Sequence, residues 1–181
     1  MYGMVNQAVK DLVITKFGTE TWEKICEKAS IPTEDFVFMQ YYPDKLTYDL
    51  VGAASGQLGV SGEVVLKEFG KHWVLYTAKE GYGPIMDLFG ADFKSCLKNL
   101  NNLHARMGMT MPNLTPPSFS FHEENEKKFV VSYFSKRAGL SPMVTGIIEG
   151  LAEKYNLKVQ VEYSDTRDGK PEHNFTISLL G

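Results

Sequence analysis

The chain has 181 residues, 43% of them hydrophobic, with a formal net charge of -3 and a sequence pI near 5.8. That is enough for one sizeable core, and too nearly neutral for nucleic acid or an anionic membrane surface to be an expected partner. No apolar run approaches the roughly 20 residues that span a bilayer, and Met1-Tyr2-Gly3 lacks the basic-then-apolar start of a signal peptide, so no membrane segment and a cytoplasmic location are expected.

In chain order, Val5, Val9, Leu12, Val13 and Phe17 recur at three-to-four spacing before Gly18, and Trp22, Ile25 and Ala29 do so before Pro32, which predicts two helices. Leu46 to Leu58 and Val64 to Thr77 continue the helical pattern less cleanly, since Gly52, Gly56, Gly59 and Gly62 weaken the signal for uninterrupted helices. A further helix is predicted from Asp92 to Gly108. The two cysteines, Cys26 and Cys96, fall in these helical segments and are expected to be buried thiols rather than a disulfide.

From Ser118 the texture changes to short runs rich in β-branched and aromatic residues: Phe119 to Phe121, Phe129 to Ser135, Lys158 to Tyr163 and Asn174 to Leu180. Between the second and third, Ser141 is the expected N-cap and Pro142 the first residue of a helix carrying Val144, Ile147, Ile148, Leu151 and Tyr155. Asp168-Gly169 marks the turn of an antiparallel hairpin. A helical N-terminal half followed by an antiparallel sheet with an embedded helix is an α+β pattern. We read one domain over residues 1–181, with a helical part over about the first 60 residues.

His104 is the histidine with an unusual setting. Phe93, Cys96, Leu97, Leu100, Leu103 and Met107 form an apolar stripe, while Lys94, Lys98, Asn99, Asn101, Asn102 and Arg106 occupy the other face. His104 follows Leu100 by one turn and points into the same interior. A buried imidazole must be satisfied, either by an ordinary hydrogen bond to the core backbone or by a metal, and a lone histidine facing an apolar space suits haem iron. Spacing alone leaves both readings open. No HExxH or paired CxxC accompanies it, which argues against zinc held by side chains.

In Tyr133-Phe134-Ser135-Lys136-Arg137, strand alternation puts Tyr133, Ser135 and Arg137 on one face. All three donate hydrogen bonds, and arginine grips carboxylates in a planar fork. The triplet is either a carboxylate clamp or the solvated side of a half-buried sheet.

Together these residues resemble the H-NOX (haem nitric oxide/oxygen binding) family. The resemblance rests on Met1-Tyr2-Gly3 with Val5-Asn6, on Leu100-Asn101-Asn102-Leu103-His104-Ala105-Arg106, on Met111-Pro112, on Pro116-Pro117-Ser118-Phe119 and on the Tyr133, Ser135, Arg137 triplet. It implies haem b between helices and sheet, His104 as proximal ligand, and Tyr133, Ser135 and Arg137 on the propionates. It further implies that Pro117 presses on the macrocycle. Leu103 beside the ligand, Val5 and Val9 of the first helix, and Met143 and Val144 after the triplet are the remaining expected haem contacts.

Oxygen-binding members carry a tyrosine in the helix after the triplet; Gly139 to Gly146 offers none. Ser141 is expected to cap the helix and Thr145 to bond its own backbone. Tyr2 and Asn6 remain as other candidate donors. A distal donor favours dioxygen far more than nitric oxide, so nitric oxide and carbon monoxide are the expected ligands. By the resemblance, nitric oxide weakens the bond to His104, relaxes the macrocycle against Pro117 and moves the helix. The chain is expected not to be an enzyme. Its expected output is a sensor histidine kinase or a cyclic-di-GMP synthase or phosphodiesterase, as in bacterial stand-alone members. No cysteine follows Cys96, so the zinc site of some relatives is not expected. The rival readings are a peroxidase-type haem enzyme, which would want a distal acid–base residue that neither Lys136 nor Lys154 is placed to supply, and a haem-free interaction module.

Overall fold

The structure, a computed structural model, describes residues 1–32, 36–77, 90–165 and 172–180. Among them the helices are α1 (Gly3–Phe17), α2 (Thr19–Ala29), α3 (Asp44–Leu58), α4 (Gly62–Thr77), α5 (Phe93–Thr110) and α6 (Ser141–Lys154). The strands are β1 (Ser118–Asn125), β2 (Lys128–Phe134), β3 (Val159–Asp165) and β4 (Glu172–Leu179). All pairs are antiparallel, in the order β1-β2-β4-β3. The fold is the α+β arrangement expected. The turn expected at Asp168-Gly169 lies outside the described residues, but the hairpin pairing is present, with Val161 opposite Ile177 and Tyr163 opposite Phe175.

Helix α3 runs uninterrupted through Gly52 and Gly56 and ends at Gly59, whose φ of 68° suits a residue without Cβ. Two local expectations are corrected. Strand β2 ends at Phe134 rather than Ser135, because Ser135 Oγ turns back to accept the Arg137 N–H at 3.0 Å. Ser141 is the first residue of α6 and not its cap: Leu140 holds that place without a side-chain bond, and the Ser141 carbonyl instead accepts the Thr145 hydroxyl at 3.2 Å.

Two apolar clusters organise the molecule. The first gathers Leu12, Trp22, Ile25, Leu50 and Phe69 from α1 to α4. The second gathers Leu97, Phe129, Val131, Ile148, Phe175 and Ile177 from α5, α6 and the sheet. Helix α4, which begins just after the expected boundary near residue 60, contributes Phe69 to the first and Val74 to the second. Its backbone lies directly on that of α6, because glycines face each other: a Cβ on Gly70 would stand 2.0 Å from the Met143 carbonyl oxygen, and one on Gly146 would stand 1.9 Å from that of Lys67. Cys26 and Cys96 are buried thiols outside any disulfide, as expected.

Candidate functional site: an apolar cavity with one histidine

Residues of both clusters line a cavity of about 1070 Å³ empty volume, its open mouth included. Helix α5 contributes Leu100, His104 and Met107; the loop after it contributes Met111, Leu114, Pro116 and Pro117; the sheet contributes Phe119 and Tyr133. Facing them are Met4 and Val5 of α1, Trp73 of α4, and Met143, Val144, Ile147 and Ile148 of α6.

His104 meets this space with one nitrogen committed. Its Nδ1 lies 2.8 Å from the Leu100 carbonyl oxygen, one turn back on the same helix. A carbonyl can only accept, so the proton sits on Nδ1 and the lone pair on Nε2. Nε2 has no hydrogen-bond partner among the described residues. Burial pushes the imidazole pKa below its ordinary value, against the opposing pull of the Leu100 carbonyl, which keeps the ring neutral. Phe119 supports the ring at 4.9 Å between centroids, and Tyr133 lies 5.3 Å beyond Phe119. The β1–β2 register sets that row, since Phe119 and Tyr133 are direct cross-strand partners.

Tyr133, Ser135 and Arg137 all line the cavity, although two of them stand beyond the end of the strand. Burial pushes the Tyr133 phenol up, partly offset by Ser135, so it stays a protonated donor. Arg137 donates from Nε to Asp44 Oδ2 at 2.7 Å and from Nη1 to the Thr115 carbonyl at 2.8 Å. Pro117 also lines the cavity beside Pro116.

The expected contacts are not all brought together. Val5, Met143 and Val144 line the cavity, whereas Val9, one turn beyond Val5, faces a second apolar space bounded by Leu12, Val51 and Phe69. Leu103 does not line it either, since the step from Leu100 to His104 carries the inward face past position 103. Tyr2 lines the cavity, but its hydroxyl donates to the Pro112 carbonyl. Asn6 is fully buried away from the cavity, accepting the Thr47 hydroxyl at 2.7 Å. Sequence reasoning missed Met4, Trp73 and Ile147. Trp73 and Ile147 follow apolar helix positions already visible in α4 and α6, but which of these turn toward the cavity depends on how the two helices dock.

A family model described as haem-NO-binding matches residues 2–163. The chain belongs to the haem-NO-binding family. Its domains are haem-binding gas sensors rather than catalysts. Soluble guanylate cyclase 89Db of Drosophila melanogaster is 30% identical over 155 residues, an alignment that takes in 86% of this chain and 23% of that protein. Soluble guanylate cyclase gcy-35 of Caenorhabditis elegans is 27% identical over 178 residues, covering 96% and 25%. The chain thus spans about a quarter of the length of these curated relatives. An H-NOX protein from S. oneidensis, solved in the Fe(II)NO ligation state, superposes with a TM-score of 0.87 at 20% identity over 100% of both chains. An oxygen-binding H-NOX domain related to soluble guanylate cyclases superposes at 0.84 with 15% identity, covering 100% of this chain and 96% of that one.

The residues of this chain fit the family's cofactor. A neutral imidazole presents an unpartnered lone pair to an apolar cavity, and three donors suited to carboxylates share that cavity. Among the described residues no group of three His, Cys, Asp or Glu side chains could hold a metal by itself. No described helix is long and apolar enough to cross a membrane.

Proposed function

We propose that this chain acts as one unit over residues 1–181, a sensor that binds nitric oxide, and carbon monoxide, at ferrous haem b with little affinity for dioxygen. The observation that carries the reading is the Nε2 lone pair of His104, left without a partner in an apolar cavity while Nδ1 is fixed. His104 would hold the iron, and Tyr133, Ser135 and Arg137 would hold the propionates. Pro117 would press on the macrocycle, with its ring fixed near φ of about −65° and little freedom to yield. When bound, haem would supply the iron that takes the gas.

Gas preference is set by what faces that position. Met4, Val5, Met143, Val144, Ile147 and Ile148 present no hydroxyl, and Thr145 donates to its own helix. Tyr2 is committed to Pro112. Dioxygen gains from a neighbouring donor, whereas nitric oxide needs none. No carboxylate, lysine or second histidine is among the described residues lining the cavity, which weighs against the acid–base group a peroxidase would use.

His104 also suits a relay. Its Nδ1 is tied to the backbone of α5, so a change in the pull on Nε2 is felt by the helix and by Pro117 in the loop beyond it. Such a shift alters an output only through differential binding of two conformers. The output lies on a separate signalling enzyme, a sensor histidine kinase or a cyclic-di-GMP synthase or phosphodiesterase; the guanylate cyclase relatives, which align over about a quarter of their length, support a domain that governs an enzyme. Spectroscopy of the purified chain loaded with haem tests the core of this reading. A ferrous spectrum that shifts with nitric oxide is expected, and absence of any Soret band with haem in excess would overturn it.

A further inference from the structure

The carboxylate clamp includes a residue from the helical half that neither motif nor family pattern singled out. Arginine carries five N–H donors in a planar fork. Asp44 takes one flank of that fork, with Nε 2.7 Å from Oδ2 and Nη2 3.4 Å from Oδ1, and Nη1 donates to the Thr115 carbonyl at 2.8 Å. Two N–H groups of the fork remain for another carboxylate.

Asp44 opens α3, and Tyr48, one turn further on, donates its hydroxyl to the Ala138 carbonyl at 3.0 Å. Helix α3 therefore grips both the Arg137 side chain and the backbone next to it. Burial alone would raise the Asp44 carboxyl, but hydrogen bonds from Arg137 and from the Met1 amine outweigh it and hold the group below the usual carboxylate range. It remains a charged acceptor at neutral pH. At 15% exposure for Arg137 and 31% for Asp44, the pair is sheltered enough for geometry to matter.

The geometry points to Asp44 as the positioning residue of the clamp, holding Arg137 so that the free edge of its guanidinium meets a propionate, and tying the helical half to cofactor retention. This rests on the haem reading above. Without Asp44 the long arginine side chain regains its rotamers, and the edge that meets the carboxylate is no longer pre-set.

The test measures release of haem from the loaded full chain to an excess of a scavenging apoprotein. Asp44→Asn is expected to release haem about tenfold faster than wild type, equivalent to about 1.4 kcal/mol, with Asp44→Glu partly restoring the rate. In an Arg137→Met background, Asp44→Asn should add nothing. With haem dimethyl ester, whose propionates carry no charge, wild type and Asp44→Asn should release alike. Tyr48→Phe, which removes only the bond to Ala138, should accelerate release about threefold with the fold intact, and serves if Asp44→Asn fails to fold. Wild-type release rates in both Asp44→Asn and Tyr48→Phe would overturn the inference. So would equal acceleration with the ester or in the Arg137→Met background, since that marks general loosening. A wild-type chain that takes up no haem at all would instead overturn the haem reading.

Discussion

A single hydrogen bond decides what His104 can do. With Nδ1 donating to the Leu100 carbonyl, Nε2 is left as a base in an apolar space. Glycine at this position removes the base and leaves the cavity able to admit free imidazole. His104→Gly is therefore expected to purify without haem or with a weakly held, spectrally altered haem, and added imidazole should restore the native ferrous spectrum. Retention of the native spectrum without imidazole would remove His104 from the axial role. The depressed pKa carries its own consequence for the haem-free chain. Unfolding returns the ring to its ordinary value near about 6.5, so below that the unfolded state binds the extra proton and the folded state resists it. The stability tied to His104 is complete above about pH 6.5 and is lost as pH falls from there through the folded value. Urea midpoints of the haem-free protein should decline across that window and decline less in His104→Leu; parallel declines would show the ring is not the cause.

At the scale of elements, the seam between α4 and α6 controls the cavity, because Trp73 on one helix and Met143, Val144 and Ile147 on the other all line it. Gly146 presses against the Lys67 carbonyl, so Gly146→Ala must force the helices apart, at about 1–3 kcal/mol. Gly52 on α3 has nothing within 4 Å of where a Cβ would stand, and Gly52→Ala should be neutral or stabilise by up to about 1 kcal/mol. Urea denaturation of both variants separates the two; similar midpoints would mean that the seam relaxes freely. The periodicity that marked α4 and α6 as helices in the sequence says nothing of this contact. It identified the stripe carrying Leu100 and His104 because three-to-four spacing survives in one chain segment. It also reached Tyr133, Ser135 and Arg137, although strand alternation was only partly the reason, since the last two sit in a turn closed by Ser135 Oγ. Asp44 was invisible because its partner is 93 positions away. Val9 was misplaced because one stripe on α1 serves two cavities, and only the docking of α3 and α4 decides which residue faces which.

For the whole molecule, the gas preference is a property of assembly rather than of any one residue. The wall opposite His104 is made where α1 and α4 of the helical half meet α6, and two nearby hydroxyls are engaged elsewhere: Thr145 donates to the Ser141 carbonyl and Tyr2 to the Pro112 carbonyl. Trp73 brings the one indole N–H to that wall among the described residues, with its ring stacked against Tyr76 at 6.4 Å. A reduced, haem-loaded sample exposed to air is therefore expected to show no persistent dioxygen spectrum, while nitric oxide and carbon monoxide each give a stable one. Replacing Met143 or Ile147 with tyrosine puts a hydroxyl on this wall from a helix whose position the glycine seam fixes. At least one of the two should then hold dioxygen measurably longer in stopped-flow traces, since a hydroxyl donor to bound dioxygen is what the wild-type wall lacks. If the wild type itself holds dioxygen and Trp73→Phe abolishes that, the indole is the distal donor and the preference for nitric oxide fails, with His104 ligation left standing. If neither tyrosine lengthens the dioxygen lifetime, selectivity lies on the His104 side of the cavity, in Pro117 and the pull of α5.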